Sequence, residues 1–82
     1  KMTRDQIHDE LAGVLEDVLE LDDLKLKDDL TADDVEGWDS LSHIRIMASL
    51  ERKFKIRFSN AEIEKLKSVG DLIDQIQSKL GK

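Results

Sequence analysis

The 82-residue sequence predicts an all-α fold: a small four-helix bundle of three longer helices and one short one, with a long loop between the first two. Three observations predict it. Proline is absent, aromatics are few, and Leu, Ile, Glu, Lys and Asp dominate, the composition of a small helical protein. Thr3, Asp39, Ser59 and Ser68 each stand where a helix N-cap is needed, just ahead of apolar residues that recur at helical spacing. The only period-two stretch, Phe54-Ile56-Phe58, has no second strand to pair with.

The elements follow in order. Thr3 with Gln6 forms a capping box, and Ile7, Leu11, Val14, Leu15, Val18 and Leu19 make one apolar stripe. Gly13 inside that helix costs about 1 kcal/mol against Ala; a close crossing by another helix is one reason for a glycine there. His8 is expected on an outer, solvated face. From Glu20 to Trp38 acids alternate with single apolar residues, namely Leu21, Leu24, Leu26, Leu30, Val35 and Trp38. A disordered linker would not carry six large apolar side chains, so these are expected to dock on the helices. Asp28, Asp29, Asp33 and Asp34 invite a calcium-loop reading. Their spacing does not match an EF-hand, and the turn glycine is missing, so no metal site is expected.

Asp39 caps the next helix, which should run to about Lys53. Leu41, Ile44, Met47, Ala48, Leu50 and Phe54 are read as its inward face, with Ile46 flanking. Phe54 to Phe58 is read as an extended connector packed by its apolar side. Ser59 with Glu62 is a second capping box, opening a short helix with Ile63 and Leu66 inward. Ser68 caps the last helix, Asp71 complements its N-terminus, Val69, Leu72, Ile73, Ile76 and Leu80 form its stripe, and Gly81 ends it. The whole chain, 1–82, reads as a single domain. Lys1 ahead of Met2 is read as foreign to the natural chain.

Composition also narrows function. Without cysteine there is no disulfide, thiolate metal site or cysteine nucleophile. No apolar run approaches the roughly 18 residues of a membrane span, and no signal peptide is recognised at the N-terminus. The chain is expected to be cytoplasmic, monomeric and not inserted in a membrane. The net charge of −6 disfavours nucleic acid as a partner. Charge is also unevenly spread: Glu20–Asp39 holds nine acids and two lysines, whereas Ser40–Phe58 holds one acid and five basic residues. The sign changes at Ser40.

Ser40 and His43, three apart, would share a helix face and so suggest a nucleophile pair. A hydrolase also needs an orienting group, an oxyanion site and a cleft, and the sequence shows no nucleophile elbow, phosphate loop or HExxH. No catalytic residue is therefore assigned. Ser40 at the first helical turn is a plain capping serine on one reading. On another, its exposed hydroxyl carries a phosphate-linked group beside the unpartnered amides and positive dipole of the helix N-terminus.

Gly37-Trp38-Asp39-Ser40-Leu41, followed by Ile44, Met47 and Leu50-Glu51 and later by Ser68-Val69-Gly70-Asp71-Leu72, resembles the acyl carrier protein family. That family's mark is Asp-Ser-Leu at the start of its second helix. The resemblance spans nearly the whole chain. It implies 4′-phosphopantetheine attached to Ser40, with Asp39 and Leu41 as the flanking cofactor-site residues. It further implies a phosphopantetheinyl transferase that uses magnesium and coenzyme A, and acyl-loading and acyl-transferring enzymes as partners. The protein would then be a carrier and not an enzyme, its missing sulfur supplied by the arm. Acyl groups would fold back against Leu41, Ile44, Val69 and Ile73.

Carriers of the general fatty acid synthase usually show acids after the serine. Here Ser42, Arg45, Arg52 and Lys53 stand in that helix, which points toward a polyketide-like or specialised lipid pathway. Peptidyl carriers usually show Leu-Gly-Gly before the motif. Val35-Glu36-Gly37-Trp38 stands here instead, which counts against that branch without closing it. An unmodified helical interaction module is the competing reading, and an intrinsic esterase using His43 a distant third.

Overall fold

A computed structural model describes residues 2–81; the reading of Lys1 lies outside them. Four helices follow one another: α1 (Arg4–Leu19), α2 (Ser40–Phe54), α3 (Asn60–Glu64) and α4 (Val69–Leu80). One 3-10 turn, Ala32–Asp34, interrupts the long α1–α2 loop. α1 packs against both α2 and α4. No strand forms among the described residues, and Ile56 to Ser59 is an irregular connector. Along it Phe58 is buried and Ile56 half-buried, as its apolar alternation predicts.

The helix starts follow their caps. Thr3 Oγ1 accepts from Gln6 N, and Thr3 N donates to Gln6 Oε1 at 2.8 Å. Ser59 and Glu62 repeat this box, Asp39 Oδ1 accepts from Ser42 N, and Ser68 Oγ accepts from Asp71 N. Each bond satisfies an amide that the helix itself cannot. Glu62 is used twice. The Ser59 amide and the Lys79 ammonium at 2.9 Å hold its carboxyl down to about 2. The helix ends were less legible. α1 and α2 stop at Glu20 and Lys55, both left-handed at φ 56° and 57° without a glycine. Gly81 ends α4 in a right-handed conformation that any residue adopts.

The core is a single apolar cluster. Ile7, Leu11 and Leu15 of α1 meet Ile46 and Leu50 of α2 and Val69, Ile73 and Ile76 of α4, all of them fully buried. The stripes of α1 and α4 lie where periodicity placed them, with Val18, Leu19 and Leu80 partly buried at the edges. α2 does not. Its buried residues are Ile46, Met47, Leu50 and Phe54, whereas Leu41 and Ile44 are 68% and 66% exposed and Ala48 is exposed. Ile46, read as flanking, is central. The helix is turned so that Ile46 and Leu50, four apart, face α1, which puts Leu41 and Ile44 on the far side.

The loop is a packed segment. Leu26 and Val35 are buried, and Leu24, Leu30 and Trp38 are packed against the core. Its backbone is tied at both sides. The His8 Nε2–H donates to Leu26 O, and Glu16 Oε2 accepts from Leu24 N at 2.9 Å. His8 is thus half-buried and joins loop to helix, contrary to its expected outer, solvated place. On the opposite side Val69 N and Gly70 N donate to Leu30 O and Asp28 O, both at 2.8 Å. Arg4 bridges Asp28 and Asp74.

Those last bonds explain a glycine. A Cβ on Gly70 would lie 3.1 Å from Asp28 O and 3.3 Å from Asp28 Cβ, so the loop approaches α4 at the one position with no side chain. Gly13, for which a close helix crossing was one reading, is exposed with nothing near its missing Cβ. No packing reason accounts for it.

Candidate functional site

The site is the junction of loop and α2. Gly37 sits at φ 88°, a left-handed turn that favours glycine. The turn closes with Trp38 N donating to Val35 O at 3.2 Å and Asp39 N to Gly37 O at 3.1 Å. It delivers Asp39 in extended conformation (φ −105°, ψ −172°) as the N-cap of α2. The Ser42 amide, then its hydroxyl, and more weakly the Leu41 amide hold the Asp39 carboxyl below the usual carboxylate range. Asp39 O accepts from His43 N at 2.8 Å, the first bond of the helix.

Ser40 is therefore the first residue of α2, and it is exposed. Its neighbours Asp39 and Leu41 are exposed too, so the three predicted site residues form one contiguous surface on a fixed helix start. An exposed hydroxyl there accepts a phosphate ester without clash, close to the positive end of the helix dipole.

His43 lies one turn on, but it does not serve Ser40. Its Nδ1 accepts from Trp38 Nε1–H at 3.0 Å, and the two rings stack at 6.1 Å between centroids. Burial lowers the His43 pKa, and the bare Nδ1 that Trp38 requires belongs to the neutral ring. The pair pins the end of the loop to α2, just beneath the site. Sequence reasoning missed this partnership, because a tryptophan and a histidine five apart across a loop–helix boundary carry no periodic signal.

The four residues expected to receive a folded-back acyl group are not brought together. Val69 and Ile73 are fully buried on α4, whereas Leu41 and Ile44 face outward on α2. A cavity lined by Trp38 and His43, with Leu66 and Leu72, holds about 30 Å³. That is space for about one water molecule, not for an acyl chain. Among the described residues no three acidic or histidine side chains are grouped to hold a metal. Of the suspected calcium acids, Asp28 pairs with Arg4, and Asp34 accepts from Thr31 N and Oγ1. Among the described residues no helix is long and apolar enough to cross a membrane.

Comparison with known proteins bears on this site directly. A family model described as "Phosphopantetheine attachment site" matches residues 9–76. The acyl carrier protein of Coprothermobacter proteolyticus is 32% identical over 96% of this chain and 96% of its own. That of Thermotoga maritima is 27% identical over 96% of this chain and 98% of its own. The solution structure of a holo acyl carrier protein from Geobacter metallireducens superposes with a TM-score of 0.86 at 40% identity, covering 92% of this chain and 86% of that one. The chain belongs to the acyl carrier protein family, carriers rather than enzymes, which hold acyl groups on 4′-phosphopantetheine and are modified by a phosphopantetheinyl transferase.

Proposed function

We propose that Ser40 Oγ is the attachment point of the 4′-phosphopantetheine arm. The observation that carries the reading is an exposed hydroxyl at the first position of α2, held by the Asp39 cap and the Gly37 turn. The local residues fit such a group. The Ser40 side chain is open to solvent, and the first-turn amides lie beneath it. The ionised Asp39 carboxylate stands beside the point of attachment, exposed and able to approach the magnesium ion of the transfer. Leu41 offers an apolar surface on the other side. Once attached, the arm supplies a terminal thiol that holds acyl groups as thioesters. The protein's own part is to keep the anchor rigid and exposed, with Trp38 and His43 bracing it from below.

The carrier acts as a monomeric single domain in the cytoplasm, passing acyl groups between enzymes of a polyketide-like or specialised lipid pathway. The support for a dedicated pathway is the charge of α2, which carries Arg45, Arg52 and Lys53 against one acid, Glu51. Incubation with a broad-specificity phosphopantetheinyl transferase, magnesium and coenzyme A is expected to add one phosphopantetheine by intact mass. Ser40→Ala is expected to take up none while unfolding in urea like the parent, because the side chain is exposed. Loading of Ser40→Ala would refute the assignment. Full support of general fatty acid elongation by the loaded carrier would refute the dedicated pathway.

A further inference from the structure

Trp38 and His43 flank Ser40 in the sequence, and both rings line the small cavity between α2 and the start of α4, opposite Leu66, Ser68 and Leu72. His43 is three residues from Ser40, the spacing of neighbours on a helix. A group tethered at Ser40 therefore enters the bundle past these two rings. They stand there as one unit, stacked at 6.1 Å and joined by the bond from Trp38 Nε1–H to His43 Nδ1 at 3.0 Å. Beyond them Val69, Leu72, Ile73 and Ile76 are buried in the core.

The walls behind the two rings are tied. Val69 N and Gly70 N hold the start of α4 to Leu30 O and Asp28 O at 2.8 Å. Both carboxylate oxygens of Glu62 on α3 accept from Lys79 Nζ of α4 at 2.9 Å, and the same ammonium lies 5.5 Å from the centre of the Phe58 ring. Entry of an alkyl chain is an unfavourable exchange. It parts Trp38 from His43 and leaves an indole N–H and a ring nitrogen against hydrocarbon, which offers neither donor nor acceptor. It also crowds side chains that are already closely packed. The wider hollow between α3 and α4 is no substitute. Lys65, Asp71, Asp74, Gln75 and Ser78 edge it, with Leu66 its one apolar residue.

We infer that Trp38 and His43 determine the class of cargo: they keep the acyl group outside the bundle, which suits the carrier to short acyl groups or to ones bearing polar substituents, and not to long alkyl chains. The inference rests on the reading of Ser40 as the attachment point. An alkyl chain kept outside holds its methylenes in water, which is unfavourable in proportion to their area. A short chain, or one carrying hydroxyl, keto or carboxylate groups, has little such area and gains nothing from an apolar interior.

The test uses the full chain, labelled with nitrogen-15 and loaded by a phosphopantetheinyl transferase from octanoyl- or acetyl-coenzyme A. Intact mass reads the loading first. No added mass refutes the attachment at Ser40 and this inference with it, whereas a loaded chain that shields octanoyl refutes the cargo inference alone. In the unaltered chain the amides of residues 66–76 are expected to coincide for the octanoyl and acetyl forms. Hydroxylamine, which releases the arm's thiol, is expected to cleave the two thioesters at equal rates, each taken relative to its own coenzyme A thioester. Trp38→Leu and His43→Ala, each checked by circular dichroism, are expected to admit the longer chain. Octanoyl but not acetyl then shifts those amides, and octanoyl cleavage slows several-fold. General loosening of the fold would affect both thioesters alike, so the difference between chain lengths reads the pair itself. The inference is overturned if octanoyl on the unaltered chain shifts those amides or is cleaved several-fold more slowly than acetyl. It is equally overturned if a folded variant treats the two chains alike. The unaltered chain decides the cargo class whether or not the variants fold.

Discussion

The orientation of α2 decides what surrounds Ser40, and two isoleucines two residues apart test it. Ile46 is fully buried against α1 and Ile44 is 66% exposed, so the same methyl deletion at the two sites should differ in full. For Ile46→Val the loss is about 0.5–1.5 kcal/mol, the transfer of one methyl plus the void it leaves. For Ile44→Val it is under about 0.5 kcal/mol, the ordinary range of a surface change. Urea unfolding followed by helix signal reads this directly. With a slope of about 1 kcal/mol per molar for so small a chain, the Ile46→Val midpoint falls by about 0.5–1.5 M and that of Ile44→Val hardly moves. Alanine at position 46 is too severe to read cleanly. Its cost of about 2–5 kcal/mol is a large part of the total that roughly 0.05–0.15 kcal/mol per residue allows. Equal shifts for the two valine variants, or a larger one at Ile44, would show that α2 buries the face that periodicity suggested.

Two further predictions concern how the loop is held. Gly70→Val should destabilise by about 1–3 kcal/mol, because its Cβ meets the Asp28 carbonyl that Gly70 N already binds at 2.8 Å; a neutral or stabilising result in urea would disprove that close approach. The His43 ring, with its pKa below 6.5 through burial, binds fewer protons folded than unfolded. The stability it contributes is therefore complete above about pH 6.5 and is lost as pH falls through the lower folded value. Trp38 is the only tryptophan, so its fluorescence should change along that titration, and His43→Gln should abolish the change.

The sequence alone determined the helix starts, the α1 and α4 stripes, the docked loop and the junction of loop and α2 at Ser40. These rest on local physics. A Thr3 or Ser59 hydroxyl meets an amide three residues on, and a stripe such as Val69, Leu72, Ile73 and Ile76 has one apolar side to bury. Tertiary structure decided what local patterns leave open. Between Leu41 and Phe54 apolar residues occupy most of the helix circumference, so periodicity admits two inward faces. Only packing against α1 selects the one centred on Ile46 and Leu50, leaving Leu41 and Ile44 exposed beside Ser40. The path of the loop is a second case. Asp28 and Leu30 accept from amides at Gly70 and Val69, and a hydrogen bond across some 40 residues of chain leaves no spacing to read. The helix stops are a third. Glu20 and Lys55 take left-handed conformations that their side chains disfavour, because the chain must leave α1 and α2 where the core ends. Ser40 marks the division between the two kinds of information: its place at a helix start is local, whereas what lies around it was settled by how the helices pack.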